Sequence, residues 1–293
     1  MVPRFAKCST ESGFKPKCKR MSKLERFRAA IISAATLCML LIPSLLFASP
    51  AGDRRIQLGQ PYAISVHGGP ITVKIVGGNS TDHVSMVEHA LPDTVTVSYN
   101  NVAGKLTVNV QAPATAAATA AVDGSDIELK MPRYEFVAVA NTTGPITVDN
   151  MSTEHLTLNT SSGYIDVQGS NGRIDVASTT GNQSYRNIFG ALNVKSTGGS
   201  ITVDHEVGLV NLKSGSGAIS GTNIMLQTTS SFVTESGNIT MSLWNNLYGC
   251  TFHLSSADGQ IRLGQLQGKN SLDWGHGSVA INGTTTTGSI DIQ

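Results

Sequence analysis

One short phrase recurs through more than half of this chain and limits its folding more than any other feature. A polar pair is followed by glycine, one or two variable residues, and an aliphatic-x-aliphatic triplet. It occurs as Gly144–Val148 (GPITV), Gly163–Val167 (GYIDV), Gly172–Val176 (GRIDV), Gly199–Val203 (GSITV) and Gly217–Ile219 (GAI). It returns as Gly237–Met241 (GNITM), Gly259–Leu263 (GQIRL), Gly277–Ile281 (GSVAI) and Gly288–Ile292 (GSIDI), with a degenerate copy at Gly181–Tyr185 (GNQSY). Glycines 144, 163, 181, 199, 217, 237, 259 and 277 follow one another at intervals of 18 to 22 residues. A second alternating triplet usually lies between them, as in Leu156–Leu158, Leu192–Val194, Val210–Leu212, Phe252–Leu254 and Leu272–Trp274.

Alternation of apolar and polar residues is the period of a strand with one buried face. Each repeat therefore reads as two or more short strands joined by tight turns. Glycine suits those turns because it enters positive φ without a Cβ penalty, and the Ser, Asn or Asp before it can bond the local backbone. Such a unit cannot bury its apolar row alone. Stacking copies at the strand spacing of about 4.8 Å lines the Ile, Val and Leu rows into one core. The sequence thus predicts an all-β, β-helix-like single-chain β-solenoid with coils of about 18–22 residues. The alternative is a β-sandwich of regularly spaced hairpins, which does not require near-identical glycine turns at constant pitch.

Residues 141–293 carry the regular repeats. Residues 52–140 are strand-rich but irregular, with alternating runs at Gly69–Ile75, Asp93–Tyr99, Gly104–Val110 and Ile127–Pro132. They read as an atypical first section that caps the solenoid, interrupted by a low-complexity loop over 111–126. Residues 1–51 form a separate address. The uncharged apolar run 29–48, preceded by Lys23, Arg26 and Arg28 and followed by small residues, predicts a signal helix with cleavage after Ala51 or Ala48. An uncleaved membrane anchor over 29–48 is the other reading. Met21 opens an ordinary signal sequence by itself, which makes it the expected translation start.

The near-zero net charge hides an asymmetry. Residues 1–51 hold 9 Lys/Arg against 2 Asp/Glu, and the remainder 12 against 18. A mildly acidic body offers no electrostatic footprint for nucleic acid. Cys8, Cys18 and Cys38 precede the predicted cleavage site, so the mature chain keeps Cys250 alone and forms no internal disulfide. The strand-like surroundings of Cys250 predict a buried, inert thiol.

The order of elements resembles the bacterial putative-adhesin family of β-strand repeats. The resemblance lies in the Gly-x-Ile-x-Val strand near Gly69, paired strands ending near Val110, Tyr134–Val139 after Pro132, and then the Ser-x-Gly-x-Ile-x-Val coils. It covers residues 60–293. This is a domain of unknown function related to the head domains of surface adhesins. The resemblance implies an extracytoplasmic β-solenoid of the periplasm or cell surface with an adhesion or envelope-associated role. It supplies no catalytic residues, cofactor or metal.

The residues themselves point the same way. Gly215–Gly217 lacks the Gly-x-Ser-x-Gly of a nucleophile elbow. His205-Glu206 lacks the second histidine of a zinc helix. Asp166, Asp175 and Asp291 share one outward repeat position, where a carboxylate ladder would serve calcium or polysaccharide chemistry. Thr147, Thr202, Thr240 and Arg262 interrupt it, which favours simple solvation of the outer face. Candidate ligand contacts are the aromatic residues Trp244, Tyr248, Tyr164 and Tyr185. Of these, Trp244–Tyr248 breaks the repeat and lengthens one interval to 22 residues, whereas Trp274, in phase with Leu272, is expected in the core. The expected reading is a non-enzymatic binding protein for a surface, glycan or envelope protein. A polysaccharide-active β-helix enzyme and a structural or envelope-stress protein are the alternatives. The carboxyl-terminal strand Ser289–Gln293 is expected as an open edge through which copies could associate.

Overall fold

The computed structural model describes Phe47–Ala48 and residues 53–78, 83–112 and 124–293. The expected signal helix lies outside them, apart from Phe47–Ala48, a two-residue strand antiparallel to Val97 and Thr96. The interior of the low-complexity loop also lies outside. Its ends, Gln111 and Asp126, belong to the strands Lys105–Gln111 and Asp126–Lys130. The described residues are all-β, and their one helical element is the 3-10 turn Leu247–Gly249. Among them no helix is long and apolar enough to cross a membrane.

Parallel strands stack in two ladders, as the repeat predicts. In the first, Ile146, Ile165, Gln183, Ile201, Ile219 and Ile239 stand in register on successive coils. In the second, Val137, Leu156, Ile174, Leu192 and Val210 do the same. These inward positions are all buried and form one continuous core. At about 1.5–3 kcal/mol for each fully buried aliphatic side chain, the rows are the main stabilising force.

The turn glycines work differently from the expectation. Gly144, Gly163, Gly181, Gly199, Gly217, Gly237, Gly288 and Gly259 form one column in that spatial order, and none of them has a left-handed φ. A Cβ on any member from Gly163 onward would collide with the carbonyl oxygen of the glycine stacked beneath it. Close approach of coil to coil, not positive φ, excludes every other residue here. The residue three positions earlier completes the turn. Gly163, Gly199, Gly217, Gly237, Gly259 and Gly288 donate their N–H groups to the hydroxyls of Thr160, Ser196, Ser214, Thr234, Ser256 and Thr285 at 2.8–3.1 Å. Several hydroxyls donate in turn to the neighbouring coil: Ser214 to Gly199 O, Thr234 to Gly217 O, Thr285 to Gly237 O and Ser256 to Gly288 O. Buried backbone groups are thus satisfied coil to coil.

Two expected turn glycines lie elsewhere. Gly277 abuts Gly249, and Gly172 stacks with Gly190 and Gly208 in a column of its own, at φ of +112°, +132° and +152°. That column follows a second corner, where Asn150, Gly169, Asn187, His205 and Asn223 all adopt left-handed φ of 52–61°. Asparagine and glycine tolerate that conformation best.

Both ends of the stack depart from chain order. The strands Ala63–Gly69 and Thr72–Val76 lie between the coil of Lys105–Gln111 and Asp126–Lys130 and that of Tyr134–Asn141 and Ile146–Asp149. At the other end, Val279–Thr285 and Ile290–Ile292 fit between the coil of Ser230–Thr234 and Ile239–Leu243 and the strand Cys250–Leu263. Ser289–Gln293 is therefore not the open edge expected of it, since Ile290–Ile292 has a paired strand on each side. The edge is formed instead by Leu266–Trp274, which folds back antiparallel onto Cys250–Leu263. Lys269 and the left-handed Asn270 blunt it.

Candidate functional site: two aromatic surfaces around residues 244–248

The outward columns are tied into ladders. Asp166 and Asp291 share one column with Thr147, Thr202, Thr240 and Arg262. Asp175 lies in the other ladder, opposite Thr157 and Asn193, so the three aspartates form no common row. The Arg186 guanidinium lies 2.9 Å from Asp166. Asp175 accepts from Arg173 Nε (2.9 Å) and Asn193 Nδ2 (2.8 Å), and lies 2.6 Å from His155 Nε2. Partial burial pushes its pKa up, but these hydrogen bonds outweigh the burial and hold it below the usual carboxylate range. Among the described residues no cluster of His, Cys, Asp or Glu has the geometry to hold a metal ion.

Of the four aromatic candidates, the structure places Tyr185 in the core. It is fully buried at a position held by Val167 and Val203 in the adjacent coils, and its hydroxyl donates to Gln183 Oε1 at 2.6 Å. The degenerate repeat thus places two inward residues that are not aliphatic side by side; the Tyr185 hydroxyl is satisfied by Gln183, whose own Nε2 stays buried without a partner. Burial pushes the Tyr185 hydroxyl well above its ordinary pKa. Tyr164, Trp244 and Tyr248 are exposed, at 42%, 57% and 82%. Cys250 is buried as expected, and that burial raises its pKa.

Trp244 ends a stripe that sequence reasoning did not find. Phe189, Val207 and Met225 stand in register on three successive coils, with Phe189 and Met225 exposed. The next residue along is Trp244, whose N–H donates to Ile224 O at 2.8 Å. Its ring meets that of His205 edge-on at 5.5 Å. His205 Nδ1 lies 2.9 Å from Asp204, which also accepts from Thr222 Oγ1 (2.6 Å) and Asn223 Nδ2 (3.1 Å). The bonds from Thr222 and His205 hold Asp204 below its ordinary pKa. Directly beneath the stripe, Glu206 takes the inward place of Ile188 and Ile224 in their column. It is fully buried, neither oxygen has a hydrogen-bond partner, and burial raises its pKa to about 8.

Tyr248, five residues on in sequence from Leu243, belongs to a second surface at the C-terminal end of the stack. Its ring packs on Trp274 at 5.4 Å and 59°. Trp274 is half-buried rather than in the core, because its strand is the outermost one, and its inner side rests on buried Phe252 at 6.0 Å. The two rings line an open groove of about 680 Å³ together with Thr251, His253, Asp273, Gly275 and His276. His253 and Asp273 face each other across the antiparallel pair, with Nδ1 to Oδ1 at 2.7 Å.

No curated protein matches the chain. The crystal structure of a putative cell adhesion protein from Clostridium sporogenes is similar over 82% of this chain and 97% of its own, at 11% identity and a TM-score of 0.31. A family model matches residues 67–293, which includes both ladders and both aromatic surfaces; the chain belongs to the Toastrack DUF4097 family.

Proposed function

We propose that the protein is an exported, non-enzymatic β-solenoid that attaches to a component of the cell surface or envelope. One observation carries the reading: Phe189, Val207, Met225 and Trp244 form an outward apolar stripe across four coils, in a fold whose other apolar rows point inward. An apolar patch of this kind on a water-facing surface is the signature of an interaction site. The acidic side chains support a binding role, because Asp166 and Asp175 are engaged in separate polar ladders rather than paired across a cleft.

The test has two parts. Fractionation of the native host with mass spectrometry of the mature amino terminus should find the chain outside the cytoplasm, cleaved near Ala51. Purified protein should then be retained on isolated envelope or cell surfaces, and Trp244→Ser combined with Met225→Ser should lower retention about tenfold, with Arg186→Ala unchanged. Equal retention of all three proteins, or an uncleaved segment in the inner membrane, would overturn the proposal.

A further inference from the structure

We infer that the groove lined by Tyr248 and Trp274 is a binding site for a neutral pyranose sugar, an inference that rests on the binding role proposed above and gives it a ligand class. A pyranose has one face of C–H bonds and a rim of hydroxyls. The groove matches both. Its apolar walls are two aromatic rings set at 59°, so that one sugar ring can lie against a π face while the second ring closes on its edge. Trp274 is fixed from behind by Phe252, so this wall is formed before any ligand arrives. Tyr248 is 82% exposed, an apolar surface left in water that a stacked ligand would cover.

The polar groups sit where the hydroxyl rim would reach. Thr251, His253, Asp273 and His276 line the same groove and supply both donors and acceptors. The His253–Asp273 contact engages Oδ1 of a carboxylate whose side chain is 70% exposed, which leaves it accessible to sugar hydroxyls. A few placed polar groups on an aromatic surface is the ordinary composition of a small-molecule site. Charge selects within the class. The lining carries the carboxylate of Asp273 and, among the described residues, no lysine or arginine. A uronic acid would meet repulsion there, and a neutral or N-acetylated sugar would not.

The experiment is titration of the folded protein with chitotriose, cellotriose and trigalacturonate, followed by tryptophan fluorescence and by saturation-transfer NMR. Chitotriose or cellotriose should bind and trigalacturonate should not. Tyr248→Ala should weaken binding about tenfold or more, Tyr248→Phe should restore most of it, and Asp273→Asn should weaken it with Tyr248 intact. Trp244→Ser should leave sugar binding unchanged. Absence of binding to either neutral trisaccharide at millimolar concentration, or affinity indifferent to Tyr248→Ala, would overturn the inference. Retention on envelopes reads the earlier proposal separately. Retention that depends on Trp244 without sugar binding would sink only the groove, and sugar binding with retention indifferent to Trp244 and Met225 would sink only the stripe.

Discussion

The two corners of each coil solve the same problem in opposite ways. At the glycine column a hydroxyl closes its own turn and reaches the neighbouring coil: the Thr234 hydroxyl accepts from Gly237 N–H and donates to Gly217 O. At the left-handed corner, Glu206 replaces an isoleucine in the core column and is buried with no partner at all. The first corner repeats nearly unchanged from Thr160 to Thr285, while the second carries the exposed Phe189, Met225 and Trp244 beside its buried acid. A stack needs only one corner to be strict. The other is free to vary, and that is where apolar groups reach the surface.

The largest effect should come from breaking the strict corner. Gly217→Val would drive a side chain into Gly199 O and C with no room for backbone relief, and should cost more than about 4 kcal/mol, or prevent folding, in urea titration. The lax corner should show itself through pH. Glu206 has its folded pKa raised from 4.5 to about 8, so the native state keeps a proton that the unfolded state releases between those values. Stability should therefore fall as pH rises from 4.5 to 8 and level off outside that window. The total is on the order of 5 kcal/mol at 1.36 kcal/mol per unit. Glu206→Leu should flatten this slope and raise Tm at pH 8; an unchanged slope would show that other groups cause it. Returning to the strict corner, Thr234→Val keeps the shape but leaves Gly237 N–H buried without its acceptor, and should cost about 1–3 kcal/mol. The smallest effect belongs to the solvated ladders. Arg186→Ala removes a half-exposed ion pair with Asp166 and should change stability by about 0–1 kcal/mol, an effect that added salt should erase.

Much of this was legible in the repeat, though not for the reason first drawn from it. Spacing alone placed the glycines in a turn row, but their φ values show that the constraint is the carbonyl of the next coil. The hydroxyl three residues before each glycine was present in the sequence at Thr160, Ser196, Ser214, Thr234, Ser256 and Thr285, and a search keyed to that offset would have found it. The stripe was harder to see. A left-handed residue at Asn187, His205 or Asn223 resets the alternation, so counting by twos from Ile201 loses the phase before Val207. Recurrence of asparagine at 150, 187 and 223 was the available signal. Tyr185 looked like a surface aromatic because its repeat was degenerate, and the bond to Gln183 is what lets its hydroxyl be inside. The loop at Trp244–Tyr248 was visible as a lengthened interval, but Trp274 became its neighbour only through the hairpin that folds Leu266–Trp274 back onto Cys250–Leu263.

The displaced coil at residues 279–292 has a consequence for the order of assembly. A solenoid can grow as its chain emerges, each new coil laid on the one before. Here the seat above Ile239–Leu243 is reserved for residues that come about fifty positions later in the sequence. Cys250–Leu263 is made first and must wait, with its inner edge unpaired, until that coil arrives to join it to the rest. Residues 279–292 thus act as a late keystone. The grooved end that bears Tyr248 and Trp274 acquires its final position only when the keystone is in place, which couples the ligand surface to completion of the fold.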